Sequence, residues 1–194
     1  VEVREPNVNK SILTFSVEDG NIRYGLAAVK NVGRNFVKDL IDEREKNGEF
    51  KDFKDFCLRM VKYSSINKKA VESLIKCGGF DSLNVKRKQL MQVCGLVLDS
   101  IAETRRKNVD GQMGLFDMEE DNEEISAIPL PNVAEFTTRE LMAMEHEVTG
   151  LYLSGHPMDE YRTAVKKAGA VMIGAVMGDY AKEGGNTVFH DDQK

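Results

Sequence analysis

Small, polar and basic residues mark a predicted corner between two helical segments, and their types suit the binding of a phosphate group. The sequence predicts a short helix over 26–29 and a longer one over 34–47, separated by four residues that break the helix. Gly33 lets the backbone turn and leaves room for an anion, because it has no Cβ. The free amides of the next helical turn then point outward as an anion site. The residues of this first corner are Lys30, Asn31, Val32, Gly33, Arg34 and Lys38.

Polar and basic residues recur in a second predicted corner, between a helix predicted over 52–60 and a helix that opens at Asn67. Asn67 is a favourable N-cap, because its side-chain oxygen accepts a hydrogen bond from an exposed first-turn amide. The residues of this second corner are Ser65, Asn67, Lys68 and Lys69. It lacks glycines, so it is a degenerate copy of the first corner, and whether it contacts phosphate stays open.

Two helices joined by a tight, positively charged corner are typical of a helix-hairpin-helix motif, which holds a DNA phosphate without reading bases. The usual corner is glycine, an apolar residue and glycine. Here Asn31 takes the place of the first glycine, and asparagine tolerates a left-handed backbone. The alternative is an ordinary packing corner between two helices.

No catalytic or metal-binding pattern accompanies the corners in the sequence. The histidines lack the spacing of metal ligands and the cysteines form no pair; they are His146, His156, His190, Cys57, Cys77 and Cys94. Nucleophile elbows, Walker loops and dinucleotide-binding glycine motifs are missing from the sequence. We therefore expect no catalytic residue, no metal site and no cofactor in this stretch of chain.

Charge divides the 194-residue chain into a basic and an acidic part. Residues 1–107 contain 21 Lys and Arg against 15 Asp and Glu, a net of +6, whereas residues 108–194 contain 6 against 17, a net of −11. The basic part suits a polyanion, which the overall charge of −5 hides. The sequence shows no paired cysteines, no signal peptide and no apolar run long enough to span a membrane. We therefore expect a cytoplasmic location and no association with a membrane. The chain begins without Met, which we interpret as a sign of a longer parent protein.

The periodicity of apolar residues predicts a mainly α fold. A β-hairpin is expected over 11–25, with its turn over 18–21, and the longest helix over 85–107. Residues 108–136 have little periodicity and many carboxylates, which predicts a long, exposed, acidic linker. A capping box at Thr137 and Glu140 opens a further helix, and the tail from 170 onward is predicted to be strand or loop.

Four stretches, in order, resemble the bacterial replicative DNA polymerase III alpha subunit family. They are residues 6–11 (PNVNKS), 22–33 (IRYGLAAVKNVG), 72–81 (ESLIKCGGFD) and 150–157 (GLYLSGHP). The resemblance implies tandem helix-hairpin-helix units over 26–107 that grip duplex DNA behind the active site. It also implies that 1–25 ends the fingers region and that 137–194 leads to an OB-fold that is absent here. The polymerase carboxylates that hold Mg²⁺ are expected upstream, so the chain is expected to bind DNA without polymerising it.

The acidic linker contains an apolar island that resembles the family's internal motif for binding the sliding clamp. Its residues are Gln112, Met113, Gly114, Leu115 and Phe116. Leu115 and Phe116 would enter an apolar pocket of the clamp while Gln112 orients the peptide. The resemblance thus implies duplex DNA, the clamp and other replicase subunits as partners.

Two alternatives remain at this point. One is a protein-interaction scaffold whose corners only pack helices, and the other is the equivalent part of an error-prone or repair polymerase, which shares these motifs.

Overall fold

A computed structural model describes residues 1–109, 128–171 and 173–174 of the chain. It is mainly α-helical, as predicted, with a small sheet at the start. The prediction over 112–116 lies outside the described residues, as does most of the predicted tail from 170 onward.

Three short strands form the sheet in the order β1-β3-β2: β1 (Val3–Arg4), β2 (Ser16–Glu18) and β3 (Asn21–Arg23). Strands β2 and β3 form the predicted antiparallel hairpin, with Asp19 and Gly20 at φ 51° and 76° in the turn. Strand β1, which the sequence did not predict, pairs parallel to β3.

The predicted extension of the hairpin back to residue 11 is wrong. The carbonyls of Ile12 and Leu13 instead accept hydrogen bonds from the amides of Leu26 and Ala27 at 3.0 and 3.1 Å. These groups therefore hold the turn that precedes the first corner, and they are not part of a sheet ladder.

The helices begin and end close to their predicted bounds. A 3-10 turn at Leu26–Ala28 precedes α1 (Arg34–Asn47), α2 (Phe53–Met60), α3 (Lys68–Lys76), α4 (Arg87–Val109), α5 (Thr138–Thr149) and α6 (Arg162–Lys167). Further 3-10 turns lie at Asp81–Leu83 and Asp159–Tyr161. The predicted caps at Asn67 and Thr137 are both present, the second as a complete capping box.

Aromatic rings fill the centre of the helical region. Phe56 is fully buried and meets Phe36, Phe50 and Phe80 edge-on, with ring centroids 6.5, 5.1 and 4.9 Å away. Helix α3 packs against α4 and α5, so both predicted corners are attached to one common core.

Residues 128–136, predicted to be exposed linker, form a strap across the first turn of α4. The Glu135 carboxylate accepts hydrogen bonds from the amides of Arg87 and Lys88 at 2.7 and 3.0 Å, and so caps the helix. Gln89 donates from its side chain to the Pro131 carbonyl at 2.8 Å. The segment has no helix or strand and several of its residues are exposed. Its contacts with α4 were not predicted, because an acid remote in sequence satisfies the α4 amides.

The chain divides into two compact units, Val1–Gly155 and His156–Lys194. In the described part of the second unit, Asp159 accepts a hydrogen bond from the His156 amide at 2.9 Å and pairs with Arg162 at 2.8 Å. The finer boundaries at 25, 107 and 136 stay predictions. Among the helices described here, none is both long and apolar enough to cross a lipid bilayer.

Candidate nucleic-acid interface

The first corner lies on the surface, with its basic side chains in solvent. Lys30, Arg34 and Lys38 are exposed, whereas Val32 is 7% exposed and anchors the corner to the core. Within the described residues none of these three cations forms an ion pair. The corner therefore presents free positive charge, the property that a phosphate backbone requires.

Gly33 is the N-cap of α1, and it leaves the first helical amides open. It makes no side-chain cap, and the first intrahelical bond of α1 runs from the Val37 amide to the Gly33 carbonyl at 3.1 Å. The amides of Arg34, Asn35 and Phe36 precede that bond and have no acceptor within the helix. An added Cβ at Gly33 would meet no atom within 4 Å, so an anion has free access to this end of the helix.

The left-handed turn of the corner lies at Asn31, the residue that takes the place of the first glycine. Asn31 has φ 65°, whereas Gly33 has φ −74°, an ordinary extended value. The Asn31 side chain also donates to the buried Ser73 hydroxyl of α3 at 3.1 Å, which stabilises the turn that a glycine would otherwise make. Asn31 therefore shapes the corner, and its side-chain amide is engaged with α3.

Two further hydrogen bonds, one from a backbone amide and one from a side chain, hold the first corner and the segment before it to the end of α5. The Lys30 amide donates to the Val148 carbonyl at 2.8 Å, and the Tyr24 hydroxyl donates to the Thr149 carbonyl at 3.0 Å. The backbone of the corner is thus held in place beneath its exposed basic side chains, an arrangement that preorganises a binding site.

The second corner is closed by contacts within the protein. The Asn67 side chain accepts a hydrogen bond from the Ala70 amide at 2.9 Å and occupies the start of α3. Ser65 donates its hydroxyl to the Asp39 carboxylate of α1. Lys68 and Lys69 are exposed, and an added Cβ at Gly95 of α4 would meet the Lys68 ammonium at 3.2 Å. Fewer polar groups are thus available to a ligand than at the first corner.

A buried carboxylate, Glu43, ties the second corner to α1. It is 1% exposed and accepts hydrogen bonds from four side chains, which are Lys62, Arg59, Asn47 and Tyr63. Burial acts to raise the pKa of Glu43, but these four donors outweigh it and lower that pKa to about 2. Glu43 therefore stays ionised and fixes Lys62, which precedes the second corner.

The two corners lie at opposite ends of the pair formed by α1 and α3. Asn31 contacts Ser73 while Asp39 contacts Ser65, so α1 and α3 run antiparallel to each other. Asp39 lies about 8 Å along the helix axis from Arg34. The second corner therefore has a carboxylate among its polar groups.

Sequence reasoning missed a buried ion pair between Arg87 and Glu145, which are 3% and 0% exposed and 2.8 Å apart. The same guanidinium contacts Asp81 at 2.7 Å, and these carboxylates raise the pKa of Arg87 despite its burial. One signal was present: Glu145 stands between Met142 and Val148 at the spacing of a buried helix face. The described residues contain no group of three or more metal-binding side chains.

Known proteins are similar to this chain in sequence. A family model described as a helix-hairpin-helix motif matches residues 1–90. The chain is 39% identical over 166 residues to the DNA polymerase III subunit alpha of Borreliella burgdorferi, covering 85% of this chain and 14% of that protein. For the subunits of Mycobacterium leprae and Treponema pallidum the identities are 41% over 160 and 35% over 176 residues. These alignments cover 82% and 91% of this chain, and 13% and 15% of those proteins.

The described region is thus a helical domain with a helix-hairpin-helix motif. The chain belongs to the DNA polymerase III subunit alpha family, and it spans about one seventh of the length of these curated relatives.

Proposed function

We propose that this chain holds duplex DNA for a replicative DNA polymerase through non-specific phosphate contacts at the first corner. The observation that carries the proposal is the uncapped start of α1 at Gly33, ringed by the free cations Lys30, Arg34 and Lys38. Open amides and the helix dipole favour an anion there, and the cations add attraction that does not depend on base sequence.

The second corner supports this grip less directly. Its Asn67 cap and its Ser65–Asp39 contact support a role in packing, with Lys68 and Lys69 as peripheral charges near the DNA. These internal contacts favour the alternative in which the second corner only packs helices. The open first corner does not favour that alternative.

We propose in addition that residues 112–116 bind the sliding clamp. The support is the sequence Gln112, Met113, Gly114, Leu115 and Phe116 and the family to which the chain belongs. A short peptide binds weakly alone, but a DNA-binding unit attached to it raises its effective concentration at a clamp on the same DNA. Together the two contacts would keep the polymerase on its template, which is the physical basis of processivity.

The parent protein is proposed to be a DNA-directed DNA polymerase, a nucleotidyltransferase of bacterial DNA replication in the cytoplasm. Its Mg²⁺ would bind carboxylates in other parts of the polymerase, and further replicase subunits would bind through the parent chain. In that layout residues 1–25 end the fingers, 26–107 hold DNA, 108–136 carry the clamp peptide and 137–194 lead toward an OB-fold. An error-prone or repair polymerase of the same family is the alternative for the parent.

Salt titration of duplex binding tests the DNA contact. Each phosphate contact adds about −0.9 to the slope of log affinity against log salt. Lys30→Ala with Arg34→Ala is expected to flatten the slope by about 1.8, whereas Lys46→Ala, an exposed lysine at the far end of α1, should leave the slope almost unchanged. Unchanged affinity and slope in the double variant would refute the DNA proposal.

A clamp-binding assay tests the second contact. Leu115→Ala with Phe116→Ala is expected to abolish clamp binding while duplex affinity and helicity stay the same, because the apolar anchors are lost and the first corner is intact. If the double variant binds the clamp as the unaltered chain does, the peptide assignment is wrong.

A further inference from the structure

Residues 150–154, part of the GLYLSGHP stretch, form a turn that the proposed function leaves unused. Gly150 ends α5 with φ 75°, and its amide donates to the His146 carbonyl at 3.0 Å. The next amide, of Leu151, donates to the Thr149 hydroxyl at 3.1 Å. The backbone of this turn is therefore fixed from its first residue.

The buried Glu145 carboxylate holds the other end of the turn. One of its oxygens accepts hydrogen bonds from the amides of Leu153 and Ser154 at 2.8 and 2.9 Å, and the other accepts from Arg87. An ion pair buried this deeply is costly unless its hydrogen bonds are satisfied, as they are here. The fold thus uses a buried charge to fix a surface turn in one conformation.

This rigid turn presents apolar side chains to solvent. Leu151 is 41% exposed and Tyr152 is 44% exposed, and the Tyr152 ring stacks on the His146 ring at 4.7 Å with 17° between the planes. Exposed apolar groups on a preorganised backbone are typical of a contact surface. We call His146, Leu151 and Tyr152 the ring platform.

The ring platform adjoins the first corner. The two residues before Gly150 are those whose carbonyls bind the Lys30 amide and the Tyr24 hydroxyl. The Glu147 carboxylate at this end of α5 is neutralised by Lys76 at 2.8 Å, which lowers its repulsion of a phosphate strand. The end of α5 that leads into the platform is therefore hydrogen-bonded directly to the first corner.

We propose that the ring platform is a second contact for the DNA strand bound at the first corner, made with the apolar faces of its sugars and of any unstacked base. Aromatic side chains stack on unstacked bases without sequence preference, because every base has a π-face. The deoxyribose rings of the same strand offer further apolar surface between its phosphates. The proposal rests on the proposed function, since it takes DNA as the ligand of the first corner. It adds a contact that contributes affinity but almost no salt dependence.

Duplex binding by the 194-residue chain, measured across salt concentrations, tests the platform. Tyr152→Ala and Leu151→Ala are each expected to weaken binding about fivefold with an unchanged salt slope. Tyr152→Phe should bind almost normally, because the ring and not the hydroxyl makes the contact. Leu96→Ala, which removes a leucine 63% exposed on α4, is the matched control and should bind normally.

The outcomes separate this inference from the proposed function. If Lys30→Ala with Arg34→Ala flattens the salt slope while both platform variants bind as the unaltered chain does, the platform inference is overturned alone. A platform variant that lowers the slope as the corner variant does would also overturn it, since the contact would then be ionic. If no variant affects binding, both proposals fail together. Circular dichroism of each variant shows whether its helices are retained.

Discussion

Each of the two corners leads into an α-helix, the first from a 3-10 turn and the second from α2. They differ in what their polar groups are bonded to. At the first corner Gly33 caps α1 without a side chain, and Lys30, Arg34 and Lys38 point into solvent. At the second corner Asn67 caps α3 with its own oxygen, and Ser65 is bound to Asp39. A polar group used within the protein is not available to a ligand. The first corner therefore keeps more of its polar groups open, whereas those of the second corner hold helices together.

The largest expected effect comes from removing the hub of the second corner. Glu43→Ala removes the buried acceptor shared by Arg59, Lys62, Asn47 and Tyr63. It should lower the free energy of unfolding by about 2 kcal/mol, because these donors lose a charge-assisted hydrogen bond while Arg59 keeps its contact with Asp55. Chemical denaturation measures the loss. Duplex affinity under conditions where the variant is folded should change little, and a large loss there would mean that the second corner also binds DNA.

The pH dependence of Glu43→Gln sharpens the same test. The pKa of Glu43 is lowered to about 2 from an ordinary 4.5, so its contribution to stability is complete above about pH 4.5 and is lost as pH falls through about 2. The difference in unfolding free energy between the unaltered chain and the Gln variant should therefore shrink between pH 5 and pH 2. A difference that stays constant over this range would contradict the ionised state of Glu43.

Removing the cap of the second corner has a smaller expected effect. Asn67→Ala loses the hydrogen bond to the Ala70 amide, which should cost about 1 kcal/mol of stability. It also frees an amide at the start of α3. Thermal unfolding measures the cost, and a gain in duplex affinity would show that the cap had blocked a latent phosphate site.

Gly33→Ala is expected to have the smallest effect on stability. Its effect on duplex affinity is the informative measurement. Gly33→Ala fits the φ of −74° and meets no atom, so stability should change by about 0.5 kcal/mol or less. The added methyl group crowds the approach to the open amides, so duplex affinity should fall severalfold. Normal affinity together with normal stability would show that no phosphate approaches Gly33 closely.

Much of the difference between the two corners follows from their residue types. Asn67 and Thr137 were identified as caps from the sequence, and the bounds of α1 follow from its apolar spacing and from Gly48. The first corner was located by its basic residues and glycine. Such local signals suffice because capping and helix periodicity depend on neighbours within one turn.

The interactions that close the second corner and anchor the first were not predicted. Asn31 with Ser73 and Ser65 with Asp39 join residues 42 and 26 positions apart, and no local rule selects those partners. The same holds for Glu135, which caps α4 from a segment predicted to be exposed. Long-range polar contacts depend on how helices pack, and sequence periodicity does not specify that geometry.

We propose that the open amides at the start of α1 hold a DNA phosphate, and the resonances of those amides report on the contact. Titrating the chain with a short duplex, followed by ¹H–¹⁵N spectra, should give the largest shifts at Arg34, Asn35 and Phe36. The matching first-turn amides of α3, at Lys68, Lys69 and Ala70, should shift little. Equal or larger shifts at α3, or no shift at α1 under conditions where duplex binds, would show that the phosphate is not held at the start of α1.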